Sequence, residues 1–538
     1  MAADAGSGIR AALEAPQGPE LAPQDLSSGR RIPLRGFAYQ PGSGPLRVRA
    51  RIGSGPWAEG VADDFRDDVA ACEPLCAQAG RSGFGLLVEA GAQAGRQLLR
   101  VEALLPGGAV PLCLRELALP AAGADAGARA GGDPQPRRAR AEGPRRGPAH
   151  LLCLTQDLAL EGSQRSLFEL ARSLDRERFR ARWLSPQDGP LAAELAAAGI
   201  PLDLRALRPQ RGSNPLRASL LETYLALPEL ARVQLVVCNT LQTFWGVELA
   251  RALGVPAIWI VRESVDPVRF LHRFWPARAA EQALRALSLV ERLVFVSQAT
   301  ARRYRDFASP DRIEVIPNGV DLERLAGSPP EDSAARAEAR RALRAELGLP
   351  PEARLLLCVG TVCQRKGQEL LLRALAALAP GHPELHAVLL GARAHPYVDA
   401  LRAAAERLGL AARVHFVPRR ADPRACYRAA DLAVCPSYQE SLPRSVLEAM
   451  AFGLPIAASA VDGIPELVRD GVEASLVAPG DPEALARALA ALLADPARAA
   501  ALGAAARKRA ESEFPLARST ARFEALFEAV LEPEVRGE

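Results

Sequence analysis

From residue 148 onward, short apolar runs alternate with stretches of helical period, and that alternation restricts the fold more than any other property of the chain. Leu151–Thr155, Leu235–Cys238, Ile258–Val261 and Leu293–Val296 are strand-like, and the first is followed by Leu167, Leu170, Ala171 and Leu174 at helical spacing. A helix rich in alanine, arginine and glutamate, at about 334–347, leads to Leu349-Pro350-Pro351. A second series then begins: Leu355–Val359, Ala387–Leu390, Val414–Val417, Leu432–Cys435 and Ile456–Ser459. Short apolar strands separated by helices mean parallel sheet, covered on both faces. Two such series predict two Rossmann-like α/β lobes, 148–335 and 336–515, with a ligand cleft between them. Helices are expected at 483–495 and 497–511. After a break at Phe514-Pro515, a last helix at about 516–531 lies within a carboxy-terminal segment, 516–538.

Ahead of the lobes the period is two. Leu46, Val48, Ala50 and Ile52 alternate with polar or glycine positions, as do Leu99, Val101 and Ala103, and Val110, Leu112 and Leu114. Turn residues separate these runs, as in Pro41-Gly-Ser-Gly-Pro45, so residues 29–118 are expected to form a small antiparallel β-sandwich-like domain. Residues 1–28 read as a loose tail and 119–147 as an Ala/Gly/Arg/Pro-rich linker. The arginines from Arg137 to Arg146 read as a solvated tether, with attraction to an anionic membrane surface as the alternative.

The net charge is +4, from 67 basic and 63 acidic residues, which excludes a dedicated nucleic-acid binder. The basic residues are arginine except for Lys366 and Lys508, so each lysine is more informative than usual. The nine cysteines are odd in number and form no pair of C-x-x-C units; Cys153, Cys238, Cys358 and Cys435 sit in strand-like runs as small hydrophobes. A reduced, cytoplasmic setting is expected. No signal peptide is expected at the amino terminus, and no run of 18 apolar residues marks a membrane span.

The most informative stretch is Cys435-Pro-Ser-Tyr-Gln-Glu440-Ser-Leu-Pro-Arg-Ser-Val-Leu-Glu448-Ala-Met-Ala-Phe-Gly-Leu-Pro455. A strand ends near Cys435, a loop carries Glu440, and Pro443 suits the first turn of a helix in which Glu448 lies deeper. Free backbone N–H groups near Leu442 to Ser445 then face an anion, aided by the helix dipole. A second stretch, Leu355 to Gly367, ends a buried strand at Gly360 and presents Arg365 and Lys366, two cations suited to a diphosphate.

The first stretch resembles the Glu-x7-Glu motif of the family-4 retaining glycosyltransferases, together with the following Glu-Ala-Met-Ala-x-Gly-x-Pro. The resemblance covers about residues 148–530 and implies the GT-B architecture. It implies that Glu448 binds the nucleotide ribose, Glu440 the donor sugar, and Arg365 and Lys366 the diphosphate. Glu440, Arg365 and Lys366 are thus the catalytic candidates. Glu448, Gly360, Ser441, Leu442, Pro443 and Gly463 are the donor-binding ones. Val315-Ile-Pro-Asn318-Gly319-Val320-Asp321 resembles the interlobe signature, and Asp462-Gly463-Ile464-Pro465-Glu466 a donor-side loop. In the first lobe, Gly162 and Ser163 resemble the family's glycine-rich loop, although Glu161 stands where many members carry glycine. Arg262 and Glu263 resemble a strand end where many members carry His-Glu.

The family implies a retaining, hexosyltransferase-type enzyme that takes a nucleotide-diphosphate sugar as co-substrate, with no cofactor. The acceptor would be a glycan or lipid-linked molecule in bacterial cell-surface polysaccharide synthesis, with peripheral inner-membrane contact; Leu271–Trp275 could belong to such a membrane face, to the acceptor cleft or to the core. With Glu440 and Glu448 assigned to hydroxyls, no carboxylate is left for double displacement. Front-face substitution is expected, and no metal is required because no Asp-x-Asp site is placed at a strand end. Two rivals are a non-catalytic nucleotide-sugar or glycan-binding protein and a nucleotide-sugar epimerase on a similar fold. A dinucleotide dehydrogenase is disfavoured because no G-x-G-x-x-G follows a strand.

Overall fold

The computed structural model describes residues 147–206, 224–275, 277–326 and 333–532, together with the backbone of nine strands within residues 2–119. These strands are β1 (Ala2–Ala3), β2 (Arg10–Ala15), β3 (Arg31–Tyr39), β4 (Leu46–Ile52), β5 (Ala58–Ala62), β6 (Asp64–Phe65), β7 (Arg81–Glu89), β8 (Gly95–Leu105) and β9 (Gly108–Leu119). They pair antiparallel in two sheets, ordered β1-β2-β3-β7-β6 and β5-β4-β8-β9. The three alternating runs of the sequence fall in β4, β8 and β9, and β1 and β2 fall within the stretch whose composition suggests a loose tail. The side chains of this region and the arginine-rich linker lie outside the described residues, so a packed accessory sandwich stays a proposal.

The first lobe is a seven-stranded, wholly parallel sheet. Its strands are β10 (Ala149–Leu154), β11 (Phe179–Ser185), β12 (Leu202–Leu204), β13 (Leu235–Asn239), β14 (Ala257–Val261), β15 (Arg292–Phe295) and β16 (Ile313–Val315), in the order β12-β11-β10-β13-β14-β15-β16. The second lobe repeats the plan with six parallel strands. These are β17 (Arg354–Val359), β18 (Leu385–Ala392), β19 (Val414–Pro418), β20 (Leu432–Cys435), β21 (Ile456–Ser459) and β22 (Ser475–Val477), ordered β19-β18-β17-β20-β21-β22. In each lobe the strand order reverses beside the first strand, at β10/β13 and at β17/β20. Loops leaving the carboxyl ends on either side of such a reversal diverge and leave a crevice.

Every apolar run read as a strand is one, and each of Cys153, Cys238, Cys358 and Cys435 is buried among its neighbours. The helices expected at 334–347, 483–495 and 497–511 form at Ser333–Leu347, Pro482–Ala494 and Pro496–Glu513. The last two each start on an aspartate whose carboxylate accepts a backbone N–H, with proline in the first turn, the arrangement that favours a helix start.

The last helix departs from a simple chain-order division. Leu516–Leu531 follows the second lobe in sequence but packs into the core of the first. Phe527 meets Phe179 edge-on, with ring centroids 5.7 Å apart, and Glu524 accepts from Asp175 N at 2.8 Å and Arg178 Nη1 at 2.9 Å. The two interlobe crossings lie side by side: Val320 N donates to Phe514 O at 3.0 Å and Leu516 N to Val320 O at 2.9 Å. A Cβ at Gly319 would stand 2.7 Å from Leu516 Cα, so glycine is required for this close crossing. Among the described residues, no single helix is long and apolar enough to cross a membrane.

Candidate active site

The two informative loops meet at the β17/β20 reversal. After β17, Gly360 adopts φ +146°, which only glycine takes readily, and a Cβ there would touch the Lys366 stem at 3.4 Å. One 3-10 turn, Gln364–Lys366, then presents both cations. A Cβ on Gly367 would lie 2.1 Å from Pro436 O, so this loop is pressed against the one leaving β20. Lys366 Nζ donates to Glu440 Oε1 at 2.5 Å; Arg365 Nη1 donates to Gln439 O at 2.8 Å and lies 3.6 Å from Glu440 Oε2. Ser437 Oγ also donates to Glu440 Oε1, at 2.8 Å. Burial pushes the Glu440 carboxyl up, but the Lys366 and Arg365 charges and these hydrogen bonds outweigh it and hold the group below the usual carboxylate range. Glu440 is therefore an anion bound to two cations, with its side chain fixed in place.

The helix after this loop runs Arg444–Ala451. Pro443 stands at its cap, one residue earlier than expected, and no side chain caps the first turn. Glu448, five residues in, is buried; its carboxylate accepts from Tyr427 Oη at 2.8 Å and from Arg444 Nε at 2.7 Å.

The Asp462–Glu466 loop supports this arrangement from behind. Asp462 adopts φ +45°, an unfavourable conformation for a residue with a Cβ. Its Oδ2 accepts from Glu440 N at 3.0 Å and its Oδ1 from Arg303 of the first lobe at 2.9 Å. Gly463 was expected to approach the donor. Its close neighbour is instead Ser441 O, 1.6 Å from where a Cβ would be, and it is not among the residues lining the cleft. The glycine is needed for packing of the Glu440 loop. Glu466 accepts from Gln298 N at 2.8 Å and Ala299 N at 2.7 Å, so the second lobe supplies an acidic cap to a first-lobe helix.

The first-lobe candidates also reach the cleft. Gly162 opens the Gly162–Ser173 helix and faces Arg444 Cβ at 3.8 Å from a notional Cβ, with Ser163 beside it. Glu161, in place of the family's glycine, meets the donor-side loop: its carboxylate accepts from Thr361 Oγ1 at 3.3 Å and lies 3.7 Å from Arg419. Arg262 was expected to offer a cationic contact in place of histidine. The structure engages its guanidinium with protein amides instead, Nε to Asn239 Oδ1 at 2.6 Å and Nη1 to Asn318 Oδ1 at 2.5 Å. Burial pulls Arg262 down to about 10, with the neighbouring Glu263 opposing and Arg444 reinforcing that fall. Burial also pushes Glu263 up to about 7, against hydrogen bonds from the N–H groups of Leu241 and Arg262. Thr240, at φ +76°, shares this edge; its hydroxyl donates to Gln156 Oε1 at 2.8 Å.

All the site candidates read from the sequence, Gly463 excepted, line one interlobe cleft of about 810 Å³ that holds Glu440, Glu448, Arg365 and Lys366 together. Residues 339–509 match the family model described as Glycosyl transferases group 1, and residues 160–324 match Glycosyltransferase Family 4. The chain belongs to the family-4 glycosyltransferases. It is 41% identical over 199 residues to a D-inositol 3-phosphate glycosyltransferase of Mycobacterium avium, covering 36% of this chain and 44% of that protein. A D-inositol 3-phosphate glycosyltransferase of Thermobispora bispora is 36% identical over 307 residues, 54% of this chain and 66% of that one. The chain thus spans under half the length of the first of these curated relatives and about two thirds of the second. The Anabaena protein HepE, solved with UDP-glucose, superposes with a TM-score of 0.61 at 23% identity, covering 71% of this chain and 99% of that one. This likeness confirms the two-lobed GT-B fold.

Two polar residues of this family-4 cleft, Arg444 and Glu169, belong to no motif position assigned to the donor. Arg444 lay inside the quoted Glu-x7-Glu string, and its place four residues before Glu448 is a signal for a helical ion pair. Glu169 carries no such signal, because its partner is 275 residues away.

Proposed function

We propose that this protein is a retaining glycosyltransferase that moves a sugar from a nucleotide-diphosphate sugar to a glycan or lipid-linked acceptor in cell-surface polysaccharide synthesis. One observation carries the reading. Lys366, Arg365 and the uncapped start of the Arg444–Ala451 helix converge on one cleft, with two buried carboxylates beside them. Such a set can hold a diphosphate at its cations and helix end, ribose hydroxyls at Glu448 and sugar hydroxyls at Glu440.

The sugar–phosphate bond breaks through an oxocarbenium-like state, and the departing diphosphate oxygen takes the proton of the acceptor hydroxyl attacking from the same face. Lys366 and Arg365 stabilise the charge growing on the leaving group, in place of a metal ion. The Lys366–Glu440 pair supports this role, since it holds the ammonium in one position before any charge develops. A non-catalytic binder would share the cleft but transfer nothing.

UDP-glucose, the ligand of the Anabaena neighbour, is the first donor to test. Thermal shift against uridine and guanosine diphosphates and their sugars should single out one donor, because a ligand stabilises in proportion to RT ln(1 + [L]/Kd). Turnover with that donor should persist in chelator. Activity lost in chelator and restored by Mg²⁺ would remove the metal-free mechanism, and binding without transfer to any acceptor would favour the non-catalytic rival.

Membrane contact is proposed through the Pro267–Phe274 helix on the cytoplasmic face. Leu271 and His272 are buried and Trp275 packs edge-on against Phe244, whereas Phe274 is 53% exposed. The apolar contact would therefore come from the Phe274 side of this helix, at the rim of the cleft that Phe270 and Phe274 line.

A further inference from the structure

The first-lobe helix Gly162–Ser173 and the second-lobe helix Arg444–Ala451 are joined across the cleft by one guanidinium. Arg444 Nη1 and Nη2 each donate to a different oxygen of Glu169, both at 2.6 Å, while its Nε donates to Glu448 Oε1 at 2.7 Å. The side chains of Arg444, Glu169 and Glu448 are 10%, 5% and 10% exposed. Burial disfavours the Arg444 charge, but the two carboxylates more than offset this and raise its affinity for the proton. Paired planar contacts fix orientation as well as distance, so this link specifies how one helix faces the other.

We propose that Arg444 is a positioning residue that latches the lobes through Glu169 and couples closure of the cleft to nucleoside capture at Glu448. The second half of this statement rests on the glycosyltransferase reading; the first does not. Three features place the latch on the line between the two functions. Gly162, at the start of the first helix, abuts Arg444. Arg444 is the first residue of the helix expected to face the diphosphate. Glu448, the expected ribose ligand, shares its Oε1 with the same guanidinium and its Oε2 with Tyr427. Ribose hydroxyls that engage Glu448 would therefore also meet a group that ties the first lobe to the second.

Glu169→Gln removes the interlobe charge and leaves the Arg444–Glu448 contact within the second lobe. Small-angle scattering of the full chain, without ligand and with UDP, reads closure directly. The variant should have a larger radius of gyration than the parent without ligand and contract on adding UDP. If its closed fraction falls to about a tenth, its apparent UDP affinity falls about tenfold. The exchange Glu169→Arg with Arg444→Glu should recover part of the compaction, because the opposite charges still meet across the cleft. Tyr427→Phe, which loosens Glu448 without touching Glu169, should leave the scattering unchanged. Should Glu169→Gln fail to fold, Arg444→Lys, which keeps the charge but not the paired geometry, carries the same measurement. Identical scattering and UDP affinity in parent and variant would overturn the latch. A parent protein that binds no UDP or GDP would instead sink the nucleotide-sugar reading, and the ligand-free scattering difference would still decide the latch.

Discussion

The two lobes share one strand plan and differ in how their functional groups are assembled. In the second lobe, two continuous loops on either side of one strand-order reversal carry nearly everything: Gly360 to Lys366 after β17, and Ser437 to Glu448 after β20. In the first lobe, the groups come in ones and twos from four separate strand ends: Glu161 and Gly162 after β10, Asn239 and Thr240 at the end of β13, Arg262 and Glu263 after β14, and Asn318 after β16. A diphosphate has fixed geometry and charge, so a short rigid string can be shaped around it. Groups gathered from many loops can instead be exchanged one at a time.

The largest expected effect tests whether the lobes are separable. Phe527 is 1% exposed and lies in the first-lobe core, although it is encoded beyond the second lobe. Phe527→Ala should cost about 3–5 kcal/mol of stability. Calorimetry should show the loss in the transition of the first lobe, with UDP still protecting the other. A single transition shifted as a whole would mean that the lobes unfold as one unit.

Next comes the chemistry of the second lobe. Lys366→Ala should raise the barrier by about 2.7–4 kcal/mol, as loss of one preorganised donor does elsewhere, with the fold retained. The parent turnover rate in this variant would detach the lysine from the leaving group.

The third effect compares one acid in each lobe, buried in the second and half-buried in the first. Glu369, 1% exposed, accepts from Tyr397 Oη at 2.7 Å in the second lobe, and Glu263 sits at the cleft edge of the first. Burial pushes each up to about 7, against hydrogen bonds that favour the anion. The sign follows from proton counting. Below about pH 4.5 both folded and unfolded chains hold these protons. Between that pH and about 7 the unfolded chain has released them and the folded chain has not, so stability falls as pH rises; above 7 the loss is constant. Glu369→Gln should remove about half of this slope and relieve roughly 3 kcal/mol at pH 8. Melting temperatures from pH 5 to 8 measure it; an unaltered slope would show that Glu369 is ionised throughout.

The lobes also differ in what could be read from sequence. The strands of both were legible, because an apolar run that must be covered on two faces has little choice. The exceptions, β11 (Phe-Arg-Ala-Arg-Trp-Leu-Ser) and the three-residue β12, β16 and β22, are interrupted by arginine or too short to register as a period. That Lys366 and Glu440 serve one donor was legible from their two strings; the direct ion pair between them, which depends on β17 and β20 being neighbours, was not. Gly463 reads as a donor contact from sequence because its conformational freedom is evident and the object it approaches, Ser441 O, is not. Glu169, on a helix face whose neighbours in sequence are core residues, gave no hint of Arg444. Contacts that cross the cleft depend on how two lobes are set against each other, and no local pattern records that.

Arg262 gives the smallest effect and the sharpest contrast. Its guanidinium joins Asn239, at the end of β13, to Asn318, at the first interlobe crossing, and its carbonyl accepts from Ser441 of the second lobe. A histidine there, as in many family members, cannot reach both amides with one ring while keeping the paired donors of arginine. It would keep the backbone contact to Ser441, which needs no side chain. Arg262→His should therefore cost about 1.5 kcal/mol, one hydrogen bond to a charged group, and raise the acceptor KM up to tenfold. Donor affinity should hold, because Lys366, Arg365 and Glu448 are untouched. A change in donor affinity as large as that in acceptor KM would show that the crossing at Asn318 transmits strain into the second lobe, and the division of labour between donor and acceptor sides would have to be redrawn around that asparagine.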